Sequence, residues 1–303
     1  MVVERSKFKD ITTFNTWKYI EQVNQGFSSD LKYYINTEEG EEYFLRLSDA
    51  SSYDRKKQEH EIIGVMTRHG LPSLQDIDFG RCNNGRNVYM LQTWINGKTL
   101  ETALPTLSED KQYMLGVEAG KILKKMHSFK STAISDWYSV RLEQYRLTYK
   151  KYKQYGITYK YEHQINEYIN NNVNLLKGEQ VSFVHGDYHI GNMILSQEQT
   201  ITIIDFDSFD WKSPMEDFYK LAVFSRNISI PFCKGQVDGY TDNKPSPEFW
   251  EMYCLCMAMT SFLSLLWGKM KSDEMYDHRK RLCDILVQDH SCFEDRIPKW
   301  YSN

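Results

Sequence analysis

The sequence has no C-x-x-C pair among its six cysteines, Cys82, Cys233, Cys254, Cys256, Cys283 and Cys292, and Cys254 and Cys256 lie inside an apolar run. Neither a zinc site nor a disulfide framework is expected, and the thiols read as buried and free. Basic charge is not in excess: 37 Lys and Arg stand against 41 Asp and Glu, a formal net charge of −4. The polycationic footprint of a nucleic-acid binder and the basic segment of a membrane-surface protein are therefore both missing. The first ten residues are charged and carry no apolar core of the kind an export signal has. The longest charge-free stretch considered, residues 252–268, includes Thr260, Ser261 and Ser264. A bilayer span takes about 20 mostly apolar residues, so this stretch is expected as a buried helix. A cytoplasmic protein with neither nucleic-acid nor membrane partners follows.

With 303 residues, 41% of them hydrophobic and 26% charged, the chain has room for one large domain or two lobes. Residues 17–23, 31–35 and 43–47 are short and rich in aromatic or branched side chains, and the last two flank the turn Asn36-Thr-Glu-Glu-Gly40. A helix is expected over residues 55–68. Its inward stripe holds Ile62, Ile63 and Met66 and also Glu59, three and four positions earlier. Residues 88–95 read as a further strand. Beyond Gly97 the pattern turns helical, with Ser108 as an N-cap and Leu115, Ala119, Ile122, Leu123 and Met126 as a core stripe. A second helical region spans roughly residues 137–176. The expectation is an α+β chain with a small β-rich N-lobe, residues 1–97, and a larger, mainly helical C-lobe, residues 98–303.

The informative segment is Val184-His-Gly-Asp-Tyr-His-Ile-Gly-Asn-Met-Ile-Leu195, followed by Ile201-Thr-Ile-Ile-Asp-Phe-Asp207. Residues 193–195 and 201–204 read as two strands around a hairpin at residues 196–199. An antiparallel pair centred between Glu198 and Gln199 puts Asn192 opposite Asp205, at a Cα separation of roughly 4.5–5.5 Å. An amide oxygen and a carboxylate, completed by phosphate and water, are how proteins hold Mg²⁺. Asp187, in a glycine-flanked loop five residues before Asn192, can orient and deprotonate a hydroxyl. Phosphoryl transfer asks for little more than such positioning and charge stabilisation.

The run His-Gly-Asp-x-His-x-x-Asn followed by Ile-Asp-Phe-Asp resembles the aminoglycoside phosphotransferase and choline kinase superfamily, a branch of the protein-kinase-like fold. The resemblance extends over most of the chain and implies a bilobal kinase-like fold. It implies Asp187 as catalytic base and Asn192 and Asp205 as Mg²⁺ ligands. His189, two residues after the base, either donates to the transferred phosphate or braces the loop, and His185 orients the loop. Arg46 is the phosphate-contacting cation, where many kinases have Lys, and Glu59 is its helix partner. The backbone of Thr93 and Ile95 resembles the adenine-binding hinge, and Ser28 lies in the nucleotide loop, which has no G-x-G-x-x-G. Asp207 supports metal binding, and Asp217, in the segment beginning at Pro214, is structural.

The implied activity is transfer of the γ-phosphate of ATP or GTP to a hydroxyl, with an aminoglycoside-like antibiotic as the leading acceptor. Choline, homoserine, methylthioribose or a macrolide are alternatives, as is a silent kinase-like structural protein. Asp210, Glu216, Asp238, Asp242 and Glu251 are candidates for a cation-attracting acceptor pocket. Only six residues separate Asp207 from Pro214, too few for the long activation segment that docks a polypeptide. A monomer or homodimer is expected.

Overall fold

The computed structural model describes residues 4–24 and 30–302, so Ser28 lies outside the described residues. The chain forms two compact units, Met1–Lys98 with Met193–Asp207, and Thr99–Asn192 with Ser208–Asn303. A division at residue 97 leaves the hairpin around residues 196–199 with the second part; the structure places it in the first. Its hydrogen bonds give the reason. The Ile203 N–H donates to the Pro72 carbonyl at 2.7 Å, and the Arg55 guanidinium donates to the Asp207 carbonyl at 2.7 Å.

The first unit is built on an antiparallel sheet of β1 (Trp17–Gln22), β2 (Leu31–Thr37), β3 (Glu42–Asp49), β4 (Asp76–Cys82) and β5 (Asn87–Thr93), in the order β1-β2-β3-β5-β4. Alternation along β3 sends Tyr43, Leu45 and Leu47 into a core with Phe8, Trp17, Tyr33, Ile35 and Leu91. Arg46 therefore points to the other face. Sequence reasoning missed β4, whose apolar pattern is poor: Ile77 is exposed, and a bulge interrupts its pairing with β5 between Asp76 and Asp78. Helix α1 (Tyr53–Arg68) buries Lys56, Glu59, Ile63 and Met66, a single stripe that is polar in its first half and apolar in its second. A small sheet joins β6 (Gly97–Thr99) to the hairpin strands β8 (Met193–Ser196) and β9 (Ile201–Ile203).

The second unit holds α2 (Leu100–Ala103), α3 (Glu109–His127), α4 (Trp137–Gln154), α5 (Glu162–Asn172), α6 (Phe218–Val223), α7 (Ile230–Thr241), α8 (Pro247–Lys271), α9 (Asp273–Asp289) and α10 (Lys299–Ser302). A two-stranded ribbon pairs β7 (Ser182–Val184) with β10 (Asp210–Lys212). The Ser108 side chain caps α3, accepting from the Lys111 N–H. The helical region after residue 137 breaks into α4 and α5 near Gly156, whose φ of +64° suits glycine. Glycines fit α3 against α7: a Cβ on Gly116, Gly120, Gly235 or Gly239 would stand 2.1–2.2 Å from a carbonyl oxygen of the facing helix. Helix α8 is long and apolar enough to cross a membrane, yet most of its apolar stretch is buried against the unit's other helices.

Candidate active site

In the first unit, the outward face of β3 and the polar half of α1 bring together a buried charge network. The Arg46 guanidinium donates to Glu59, which is fully buried, and to Asp30 at 2.9 Å. Lys56, one helical turn before Glu59, reaches Asp30 and Asp207 at 2.8 Å each and Glu59 at 3.3 Å. Burial opposes ionisation of Asp207, but the Lys56 bond and charge, with Arg46 beyond, hold its carboxyl below the usual range. Asp207 is thus engaged by a lysine, while the 37%-exposed Asp205 side chain makes a longer contact, 3.9 Å, with Arg46.

The hairpin register differs by one residue from the sequence expectation. Met193 pairs with Ile203 and Leu195 with Ile201, so Asp205 does not stand across from Asn192. The physical reason is the turn: the Ser196 N–H donates to the Thr200 carbonyl at 3.0 Å and Gln199 takes a φ of +64°, which centres the hairpin on Glu198; Asp205, past the end of the ladder, also has a φ of +64°. That left-handed conformation costs a non-glycine residue roughly 1–2 kcal/mol and fixes the direction in which the carboxylate leaves the strand.

The hinge segment splits in its availability. The Thr93 N–H is already given to the Gln75 carbonyl at 2.9 Å, so only its C=O remains to offer a nucleotide base. The Ile95 N–H has no main-chain partner among the described residues.

In the second unit, the loop between β7 and residue 193 is pinned by Asp217, which is completely buried. Its carboxylate accepts from the His185 N–H at 2.8 Å and the Gly186 N–H at 2.7 Å, and His127 Nε2 lies 3.0 Å away. Gly186 is required at its position: φ is +79°, and a Cβ would fall 2.2 Å from the Ser208 carbonyl oxygen. His185 Nδ1 accepts from the Asp187 N–H at 3.2 Å.

The Asp187 carboxylate is held on both oxygens. Lys220 Nζ stands 2.7 Å from Oδ1, and Asn192 Nδ2 donates to Oδ2 at 3.1 Å and to the Asp187 carbonyl at 3.0 Å. Burial pushes the carboxyl up, but His189 and the Lys220 ammonium overcome it and hold the group well below the usual carboxylate range. His189 Nδ1 accepts from the Gly191 N–H at 3.0 Å, which leaves the proton on Nε2, 3.6 Å from Asp187. His189 thus braces the loop with one nitrogen and faces the base with the other.

Mg²⁺ asks for a few hard oxygens rather than a complete protein cage. Among the described residues no cluster of three His, Cys, Asp or Glu forms such a cage. The amide hydrogens of Asn192 are spent on Asp187, so its Oδ1 is the atom left to ligate, and the half-exposed Asp205 carboxylate is a donor of the same hard type. Each is a hard oxygen of the kind the ion takes, one in each unit.

Sequence reasoning missed Asp30, Lys56, His127 and Lys220. Lys56 lies three residues from Glu59 and Lys220 three from Asp217, so helical spacing could have found both. Nothing in the sequence pointed to His127 at the end of α3.

No curated protein matches the chain by sequence. Solved structures match its fold over nearly the whole length. A gentamicin complex of APH(2")-IIa is 20% identical with a TM-score of 0.62, covering 90% of this chain and 92% of its own. ADP-bound APH(2'')-Ib is 18% identical with a TM-score of 0.64, covering 97% and 96%. A GDP complex of wild-type aminoglycoside 2'-phosphotransferase-IIIa is 14% identical with a TM-score of 0.67, covering 93% and 95%. The chain therefore has the β-rich and helical parts of the protein-kinase-like aminoglycoside phosphotransferase fold. The phosphotransferase enzyme family model, APH, matches residues 20–251, more than two thirds of the sequence, and the chain belongs to that family.

Proposed function

We propose that this chain is a small-molecule kinase that moves the γ-phosphoryl group of ATP, or GTP, to a hydroxyl of its acceptor. The observation that carries this reading is the Asp187 carboxylate, kept ionised by Lys220 and fixed in a loop that Asp217 pins at two backbone N–H groups. The acceptor oxygen attacks the γ-phosphorus, and its proton passes to an Asp187 oxygen. The bond between that phosphorus and the β,γ-bridging oxygen breaks, and the nucleoside diphosphate leaves with the electron pair.

Arg46, immobilised by Glu59 and Asp30, is suited to meet the nucleotide phosphates. The Thr93 carbonyl and Ile95 N–H offer an acceptor and a donor to the base. Asn192 Oδ1 and Asp205 would hold Mg²⁺, which when bound offsets the charge of the phosphate oxygens. Lys56 keeps Asp207 and Glu59 in place around Arg46. An aminoglycoside is the acceptor that the family likeness suggests first, and the similar structure solved with gentamicin supports placing it in the first panel.

The test is ADP release from ATP and Mg²⁺ against aminoglycosides, macrolides, choline, homoserine and methylthioribose. Asp187→Ala is expected to lower kcat by about 10²–10⁴-fold, the usual contribution of a general base, with the circular dichroism spectrum unchanged. Acceptor-dependent turnover that survives in this variant refutes the assignment. Nucleotide binding without release under any acceptor would favour a silent kinase-like scaffold.

A further inference from the structure

Three basic side chains converge on one ring beside the proposed base. The Phe224 ring has His189 at 5.5 Å between centroids, Lys220 Nζ at 5.1 Å and the Arg279 guanidinium carbon at 5.1 Å. His189 and Lys220 both face Asp187. Arg279 does not: it lies over a second ring as well, 4.5 Å from the centre of Trp267. Its Nε is buried without a hydrogen-bond partner, and no carboxylate lies within ion-pair distance of its guanidinium among the described residues. The stem has room because position 268 is glycine, where a Cβ would press to 3.0 Å on Arg279 Cγ. A guanidinium fixed between two aromatic faces and left without a carboxylate is ready to take an anion through its forked N–H groups.

The five carboxylates singled out for a cation-attracting pocket are already engaged. Glu216 pairs with Arg141 at 2.8 Å, Glu251 with Arg296 at 2.7 Å and Asp210 with Lys212 at 3.0 Å. Asp242 pairs with Lys124, and Asp238 accepts from the hydroxyls of Tyr113 and Tyr301. All five candidates for a cation-attracting pocket are thus occupied, whereas the cation nearest the base along α6 continues through Phe224 to an unpaired arginine on α9.

We infer that Arg279, walled by Phe224 and Trp267, is an acceptor subsite for an anionic group, a carboxylate, phosphate or sulfate, and that the acceptor is a hydroxylated anion rather than a polycation. This rests on the kinase reading for the word acceptor; the anion site itself does not. The test titrates the full chain with sodium sulfate against sodium chloride at equal ionic strength, read by tryptophan fluorescence. Trp267→Phe identifies the reporting ring by abolishing the signal. Sulfate is expected to give a saturable change that Arg279→Gln weakens by about tenfold or more, and that Arg279→Lys partly restores. Equal sulfate affinity in wild type and Arg279→Gln, or no saturable change in wild type, overturns the site. Gentamicin supplies the opposite arm. Gentamicin-dependent ADP release that Asp187→Ala abolishes would overturn the anionic acceptor and leave the kinase reading intact. Arg279-dependent sulfate binding, with no acceptor-dependent ADP release under any acceptor, would uphold the anion site and sink the kinase reading.

Discussion

Two carboxyl groups of this chain, one partly and one almost wholly buried, shift in opposite directions, and their neighbours explain which way each goes. Asp187 has an ammonium at 2.7 Å and is held low. Among the described residues, Asp76, with 3% of its side chain exposed, has only the Gln92 amide and His60, and burial pushes it up to about 6. The sign follows directly. Because the folded Asp76 binds its proton more tightly than the unfolded one, its contribution to stability is complete below the ordinary value of 3.8 and is lost as pH rises to about 6. Asp76→Asn removes this loss. Between pH 4 and 6.5, wild type is expected to lose on the order of 2 kcal/mol more unfolding free energy than the variant, as measured by urea denaturation across that range. Parallel pH profiles would rule out the raised ionisation. Residues of this kind are the least legible in sequence. Asp187, Asn192 and Asp205 announce themselves by spacing, and Glu59 by its place on a helical stripe, but an aspartate on a short, bulged edge strand looks like surface punctuation.

At the scale of elements, the sequence shows which segments are helices better than which helices touch. Gly116 and Gly120 recur four residues apart on α3, as Gly235 and Gly239 do on α7, but only the structure reveals that the two pairs face each other. With a Cβ at position 120 placed 2.2 Å from the Gln236 carbonyl oxygen, neither backbone can yield without the helices separating. Gly120→Ala is therefore expected to cost about 3 kcal/mol. Gly64→Ala is the contrasting substitution. It lies within α1 and would meet only the mobile end of Arg68 at 3.3 Å, so the gain in helix propensity, up to about 1 kcal/mol, leaves stability equal or higher. Guanidinium midpoints of the two variants check this, and similar losses in both would remove the close-packing argument. The hairpin register was misread for a related reason. Alternation marks the strands, but the three-residue loop, with Gln199 left-handed at a φ of +64°, depends on backbone geometry that a glutamine does not announce.

For the molecule as a whole, the β-rich and helical portions were legible because composition changes sharply near residue 97. What could not be read is that the first unit is discontinuous. The chain leaves it at Lys98, returns for Met193–Asp207, and leaves again. The returning segment supplies two strands of the small sheet, the backbone bond to Pro72, and the carboxylate that Lys56 needs. Without it, Arg46 and Lys56 would retain only Asp30 and Glu59, and a lysine with 5% of its surface exposed would lose a partner at 2.8 Å. That pair, its carboxylate 41% exposed, is worth only about 1 kcal/mol, but the segment also carries the buried side chains Met193, Leu195, Ile201 and Ile203, whose burial contributes about 1.5–3 kcal/mol each, a large part of the stability of a unit this size. A fragment of residues 1–98 is accordingly expected to be unfolded or molten, with collapsed amide dispersion in its proton–nitrogen spectrum. The same fragment joined through a short flexible linker to residues 193–207 is expected to recover dispersed signals. A well-dispersed spectrum from residues 1–98 alone would show that the hairpin is an ornament of the first unit rather than part of its core.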